Sequence, residues 1–215
     1  VFHPYPTGDG HALAVLAQRL GMHYAFGATR PRTSAPDDIP YGNAFLTRWP
    51  ILAYAAHHLA PLTSYGQRGL LEVRVRLPSG APFTTYVIHL DHRSEQIRLE
   101  QWEAAQTWLL RDRARPHLLM GDFNALAATD YAAPGALDRL VAYQDAQGWP
   151  MARFDLVAQV GKAGYRDAYD LAGSGESPTW PAAAPERRIA YVFVPGVWAA
   201  ALSACPRSAG ASAIP

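Results

Sequence analysis

The sequence predicts a layered domain of the α/β or α+β class, with helices covering the faces of β-sheets. Two observations carry this: helical and strand-like periodicities interleave along the chain, and 49% hydrophobic against 17% charged residues is the balance of a chain with a packed core. At 215 residues, with no internal repeat and no linker-like stretch, one domain over 1–215 is expected.

Leu13, Leu16, Ala17 and Leu20 share a helical face; Thr7 or Asp9 can cap the start and Gly21 can end it, which predicts a first helix. Apolar runs at 22–26 and 44–46 predict short strands, separated by a Pro-rich polar loop over 28–40. Runs at 70–77 and 83–90 predict two strands, and the turn Pro78-Ser79-Gly80 makes them a hairpin. Ser94 is placed to cap a second helix whose Leu99, Trp102, Ala105 and Leu109 share a face, and Pro116 separates it from an apolar strand at 117–120. Next come a helix around 136–143, a less regular stretch to 170, a Gly/Ser/Pro-rich loop over 173–185 and a strand over 189–194.

Nineteen basic against 18 acidic residues leave a net charge of +1, so no overall field draws the chain to nucleic acid or an anionic membrane. Any phosphate site must be local. The single Cys205 excludes an internal disulfide and a Cys/His zinc site. The apolar stretch 189–205 is split by Pro195-Gly196 and is shorter than the roughly 20 residues a span requires, so no membrane span is expected and the chain is read as soluble.

Two strand ends carry chemistry. Gly121-Asp122-Phe123-Asn124 follows the apolar strand at 117–120 and puts Asp122 and Asn124 on one side. A carboxylate there can hold or deprotonate water and a carboxamide can donate to a phosphate oxygen, although the same pair also fits a simple Asx-turn. His89-Leu90-Asp91-His92-Arg93 ends another strand with two imidazoles, a carboxylate and a guanidinium. Such a group suits a phosphoryl oxygen better than a metal, because the His89 and His92 spacing matches no common ligand pattern. Asn43, in the turn Tyr41-Gly42-Asn43, either faces a ligand or completes the turn.

Taken in order, the segments YGNAFLTRWPI, HLDHRSEQIRLEQ, LLMGDFNAL, GYRDAYDL with the following SPTWP, and RRIAYVFV resemble the endonuclease/exonuclease/phosphatase superfamily. That group includes pancreatic-type deoxyribonucleases, abasic-site endonucleases, inositol-polyphosphate phosphatases and sphingomyelinases. The resemblance runs from about the first helix to Val194. It implies two packed mixed β-sheets flanked by helices, a four-layer α/β/β/α sandwich, and divalent-metal-dependent hydrolysis of phosphate esters at the strand ends. By the same resemblance His89 contacts the phosphate, Asp122 orients or activates the attacking water and Asn124 binds the phosphate. Asn43, Asp91, His92 and Arg93 become supporting or substrate-facing residues. Mg²⁺ or Mn²⁺ is the implied cofactor, and a phosphoester the implied partner.

The departures carry their own expectations. No glutamate precedes Glu72, Ala190 stands where the family pattern Arg-Ile-Asp-Tyr has its aspartate, no acidic residue follows Glu186 and no histidine follows His117. A first and a last strand of the fold are therefore expected to be lacking, no metal ligand set is assigned, and metal binding is expected to be weak with hydrolysis near background. The alternative reading is a noncatalytic protein that binds a phosphate ligand or a partner on the same fold.

Overall fold

Two sheets face each other in the structure, and helices flank them. The computed structural model describes residues 6–205 apart from 8–9, 31–40, 64–65, 149, 176 and 182. Strands β1 (Pro6–Thr7) and β2 (Gly10–His11) form a short ladder before helix α1 (Ala12–Leu20). Thr7 thus lies in a strand, several residues from the helix start it was expected to cap, and Asp9 falls outside the described residues. Helix α1 buries Leu13 and Ala17 and ends at Gly21, whose φ of 61° lets the Met22 N–H reach the Ala17 carbonyl at 2.8 Å.

The smaller sheet pairs β3 (His23–Arg30) with β4 (Tyr41–Thr47), both antiparallel. Strand β3 therefore claims the first residues of the expected 28–40 loop, and residues 31–40 are outside those described. The larger sheet has the order β5-β6-β7-β8-β10-β9, built from β5 (Ile51–Thr63), β6 (Gly66–Arg76), β7 (Pro82–His89), β8 (His117–Asp122), β9 (Tyr165–Asp167) and β10 (Ala190–Pro195). Only β7 and β8 run parallel, so this sheet is mixed, whereas the smaller one is antiparallel throughout its described residues.

A parallel pair cannot be closed by a tight turn, and helix α2 (Glu95–Leu109) makes the crossover. Ser94 Oγ accepts the Ile97 N–H, as the capping pattern requires, and the helix buries Trp102, Ala105 and Leu109. Helix α3 (Ala136–Ala146) matches its expected start. The stretch read as irregular instead contains α4 (Asp155–Lys162), β9 and α5 (Ala168–Ala172), elements too short to show a period. Strand β5 also escaped the sequence: its run ILAYAAHHLAPLT is rich in Ala and His rather than β-branched residues, and Leu52 and Tyr54 stay exposed.

Alternation along the strands divides the core in two. One face of the large sheet sends Leu70, Tyr86, Ile88, Leu119 and Phe193 against Trp102, Leu109 and Leu156 of the helices. The other face sends Leu71, Val73, Val75 and Val87 against Ala25 and Phe45 of the small sheet. Glu95 joins the helices: its Oε1 accepts the Leu156 N–H at 2.8 Å while Oε2 pairs with Arg98 Nη2 at 2.7 Å. Among the described residues no helix is long and apolar enough to cross a membrane.

Adjacent leucines offer a test of this layering, since Leu109 is 2% exposed and Leu110 is 58% exposed. Leu109→Ala is expected to cost about 2–5 kcal/mol in urea unfolding, and Leu110→Ala within about 0.5 kcal/mol of zero. Similar costs for the two would contradict the packing of α2 on the sheet.

Candidate phosphate-facing site

The parallel register of β7 and β8 sets His89 directly beside Asp122. Their side chains meet, with His89 Nε2 3.8 Å from Asp122 Oδ2. The other carboxylate oxygen accepts the Asn124 N–H at 3.0 Å, a short Asx link that Asn124 makes from a left-handed φ of 48°. Asn124 Nδ2 in turn donates to the Leu90 carbonyl at 3.0 Å, tying the two strand ends together. His89, Asp122 and Asn124 are thus brought to one place by residues far apart in sequence.

Gly121 makes that closeness feasible. Its φ is 138°, and a Cβ there would lie 2.0 Å from the Ile88 carbonyl oxygen on the neighbouring strand.

Arg68 on β6 is the group that sequence reasoning missed. It is 6% exposed, and its Nη1 lies 2.9 Å from His89 Nε2, 3.0 Å from His89 Nδ1 and 3.0 Å from the Tyr41 hydroxyl. Being almost equally far from both ring nitrogens, Nη1 sits over the imidazole face rather than along either lone pair. Nη2 donates to His92 Nδ1 at 2.9 Å, and Nε is buried without a hydrogen-bond partner. Among the described residues Arg68 forms no ion pair: its hydrogen-bond partners are the Tyr41 hydroxyl and ring nitrogens of His89 and His92, none of them a carboxylate, while its charge acts on Asp122 nearby. The signal for Arg68 was available: counting back from the 78–80 turn sets Gly69 opposite His89, which leaves Arg68 at the same strand end.

Tyr41 was also passed over. Its hydroxyl accepts from Arg68 Nη1 at 3.0 Å and lies 2.8 Å from His89 Nδ1; donation from the hydroxyl to Nδ1 corresponds to the tautomer with the ring proton on Nε2, the nitrogen nearer Asp122.

The remaining sequence candidates lie in different places. Asp91 is 0% exposed, and its Oδ1 caps the N–H groups of Arg93 and Ser94 at 2.8 Å each, so it shapes the turn into α2. Arg93 sits on that turn with Nε 3.3 Å from His92 Nε2, at the exposed rim. Asn43 is 2% exposed on β4, and its carboxamide is directed at the large sheet: Nδ2 donates to the Gly69 carbonyl at 2.8 Å and the Val87 carbonyl at 3.0 Å.

Electrostatics follow from burial. Desolvation raises the Asp122 pKa above the ordinary carboxylate value, and the Asn124 N–H and the Arg68 charge oppose it. Desolvation, then the Arg68 charge, lowers that of His92.

A Mg²⁺-type ion seeks oxygen donors, usually one or two carboxylates. Here Asp122 Oδ1 and Asp91 Oδ1 already hold backbone N–H groups, a guanidinium lies against both imidazoles, and the residue paired with Asp122 across β10 is Ala190. No group of three or more His, Cys, Asp or Glu side chains converges among the described residues. The described residues here do not make up a ligand set for a divalent ion.

The chain matches the Endonuclease/Exonuclease/phosphatase family over residues 5–212 and belongs to it. Members of that family are generally hydrolytic, divalent-metal-dependent phosphoesterases. An endonuclease/exonuclease/phosphatase from Beutenbergia cavernae DSM 12333 shares the fold with a TM-score of 0.61 at 22% identity, covering 89% of this chain and 52% of that one. A mannosyl-6-phosphatase from Bacteroides thetaiotaomicron VPI-5482 is similar at TM-score 0.55 and 18% identity, covering 81% of this chain and 63% of its own. The human Nocturnin catalytic domain with bound sulfate anion gives 0.55 and 18%, covering 86% and 64%. The chain thus spans between about half and two thirds of the length of these structures. No curated protein sequence matches it.

The raised Asp122 pKa makes a prediction about stability. The folded state holds this proton more tightly than the unfolded chain, so the stability this group contributes is present at acid pH and is lost as pH rises through its folded pKa. Asp122→Asn is therefore expected to melt at a higher temperature than wild type at pH 7, with the difference closing toward pH 3. A variant less stable at pH 7 would contradict the buried-charge reading.

Proposed function

We propose that this chain carries a phosphoester-binding site of the phosphoesterase type, in which Arg68, His89 and Asn124 take the phosphate and Asp122 orients the attacking water. The observation that carries the reading is the buried Arg68 guanidinium, which among the described residues has no carboxylate partner. A charge removed from water is costly unless a counter-charge completes it, and a phosphate oxygen accepts from guanidinium as strongly as a carboxylate does. In this reading His89 adds a donor at Nε2, and Asn124 has a second amide hydrogen beyond the one given to Leu90. His92, held by Arg68, and Arg93 flank the entrance on the turn after β7. The sulfate bound by the Nocturnin catalytic domain, a tetrahedral dianion on a related fold, supports the same ligand chemistry.

In this reading water attacks phosphorus in line, Asp122 takes its proton, the ester P–O bond breaks and the leaving oxygen takes a proton from solvent to depart as the alcohol. The donor set points to weak Mg²⁺ or Mn²⁺ binding and turnover near background for this chain, because Ala190 offers a methyl group beside Asp122. Binding of a phosphate ligand without turnover is the second reading, and the same Ala190 favours it.

Two measurements test this. Titration with inorganic phosphate is expected to show saturable binding to wild type and a loss of about 10–100-fold in Arg68→Ala, the range for a charge-assisted hydrogen bond. Equal affinities would overturn the assignment of Arg68. Assays of a generic phosphodiester with Mg²⁺ and Mn²⁺ are expected to give the same negligible rate for wild type and Asp122→Ala, with cooperative unfolding showing that both are folded. Robust turnover lost in Asp122→Ala would overturn the weak-metal reading.

A further inference from the structure

Asn43 occupies an unusual place in the molecule. It sits on the small sheet, yet its amide reaches across to backbone carbonyls on two different strands of the large one, Gly69 on β6 and Val87 on β7. These carbonyls adjoin the reactive side chains: Gly69 follows Arg68 and pairs with His89, while Val87 lies two residues before His89 on the same strand. Gly69 has no side chain, and a Cβ there would come 2.4 Å from Thr29 Cγ2, so the small sheet can approach this closely only over a glycine.

Strand alternation puts Tyr41 on the same face of β4 as Asn43. The first residue touches His89 and Arg68 directly, and the second pins the strand that carries it.

We propose that Asn43 is a positioning residue: by tying β4 to the Gly69 and Val87 carbonyls it sets where the Tyr41 hydroxyl meets His89 Nδ1, and so which ring nitrogen carries the proton. Tyr41 can donate to Nδ1 only while β4 keeps its height over β6 and β7. If that strand lifts, Nδ1 loses the Tyr41 hydroxyl and keeps the Arg68 Nη1 contact at 3.0 Å, so the balance of the proton between the two ring nitrogens shifts. The consequence for phosphate binding rests on the function proposed above; the consequence for the ring does not.

The test reads both. In ¹⁵N spectra of the histidine rings, wild type is expected to show His89 as a single tautomer with Nδ1 unprotonated, and Asn43→Ala a mixture of tautomers. Phosphate titration of Asn43→Ala is expected to show affinity weakened about tenfold, the upper range for one ordinary hydrogen bond put out of alignment. Leu109→Ala, at the far end of α2, serves as a control for general loss of stability and is expected to keep the wild-type ring signals. Wild-type His89 signals in Asn43→Ala, or equal changes in Asn43→Ala and Leu109→Ala, would overturn the proposal. Should Asn43→Ala fail to fold, Asn43→Ser keeps one donor and is expected to show the same mixture to a smaller extent; unchanged signals there would overturn it equally. If wild type does not bind phosphate, the phosphate reading falls, while the ring signals still decide the role of Asn43.

Discussion

The parallel pairing of β7 with β8 is the constraint on which the rest of this structure depends. Antiparallel neighbours can be joined by a turn, as β6 and β7 are, but a parallel neighbour demands that the chain cross the sheet and return. Helix α2 makes that crossing, and its buried face and the Glu95 link to α4 then define the helical layer. The same pairing brings two carboxy-terminal strand ends side by side, so His89 and Asp122 become neighbours as a consequence of topology. Fold and site are set by one choice of strand direction.

Around that pair the chain accepts unfavourable electrostatics. A carboxylate is held in a partly desolvated place, and a guanidinium is buried among two imidazoles and a phenol without an ion-pair partner among the described residues. Elsewhere buried charges are matched: Arg188, 4% exposed, meets Asp130, Asp167 and Asp170, and Arg98 meets Glu95. The contrast separates charges paired with carboxylates inside the fold from one that, among the described residues, is not.

Much of this was legible before any coordinates. Helix α2 announced itself through Ser94 and its apolar face, the hairpin through its turn, and the Asp122 and Asn124 pair through its place after an apolar strand. What stayed hidden has physical causes. Strand β5 lacks the residues that mark a strand, and α4, β9 and α5 are each too short for a period to emerge. Arg68 was hidden because one arginine in a strand that also holds Arg74 and Arg76 looks like a solvated face, and only the register distinguishes it. Asn43 and Asp91 sit in segments that match the family pattern, but a match in sequence does not say whether a side chain turns toward a ligand or toward backbone.

Gly121 shows how far that distinction reaches. The dipeptide Gly121-Asp122 reads as a chemical signature, yet only its second residue has a functional group. The glycine is required because the β7 backbone passes where any side chain would stand. Even an alanine would have to push β8 away from Ile88, widening the gap between imidazole and carboxylate before any catalytic group had been altered. A side chain at this position is therefore blocked by sterics, while the chemistry it protects belongs to the residues on either strand.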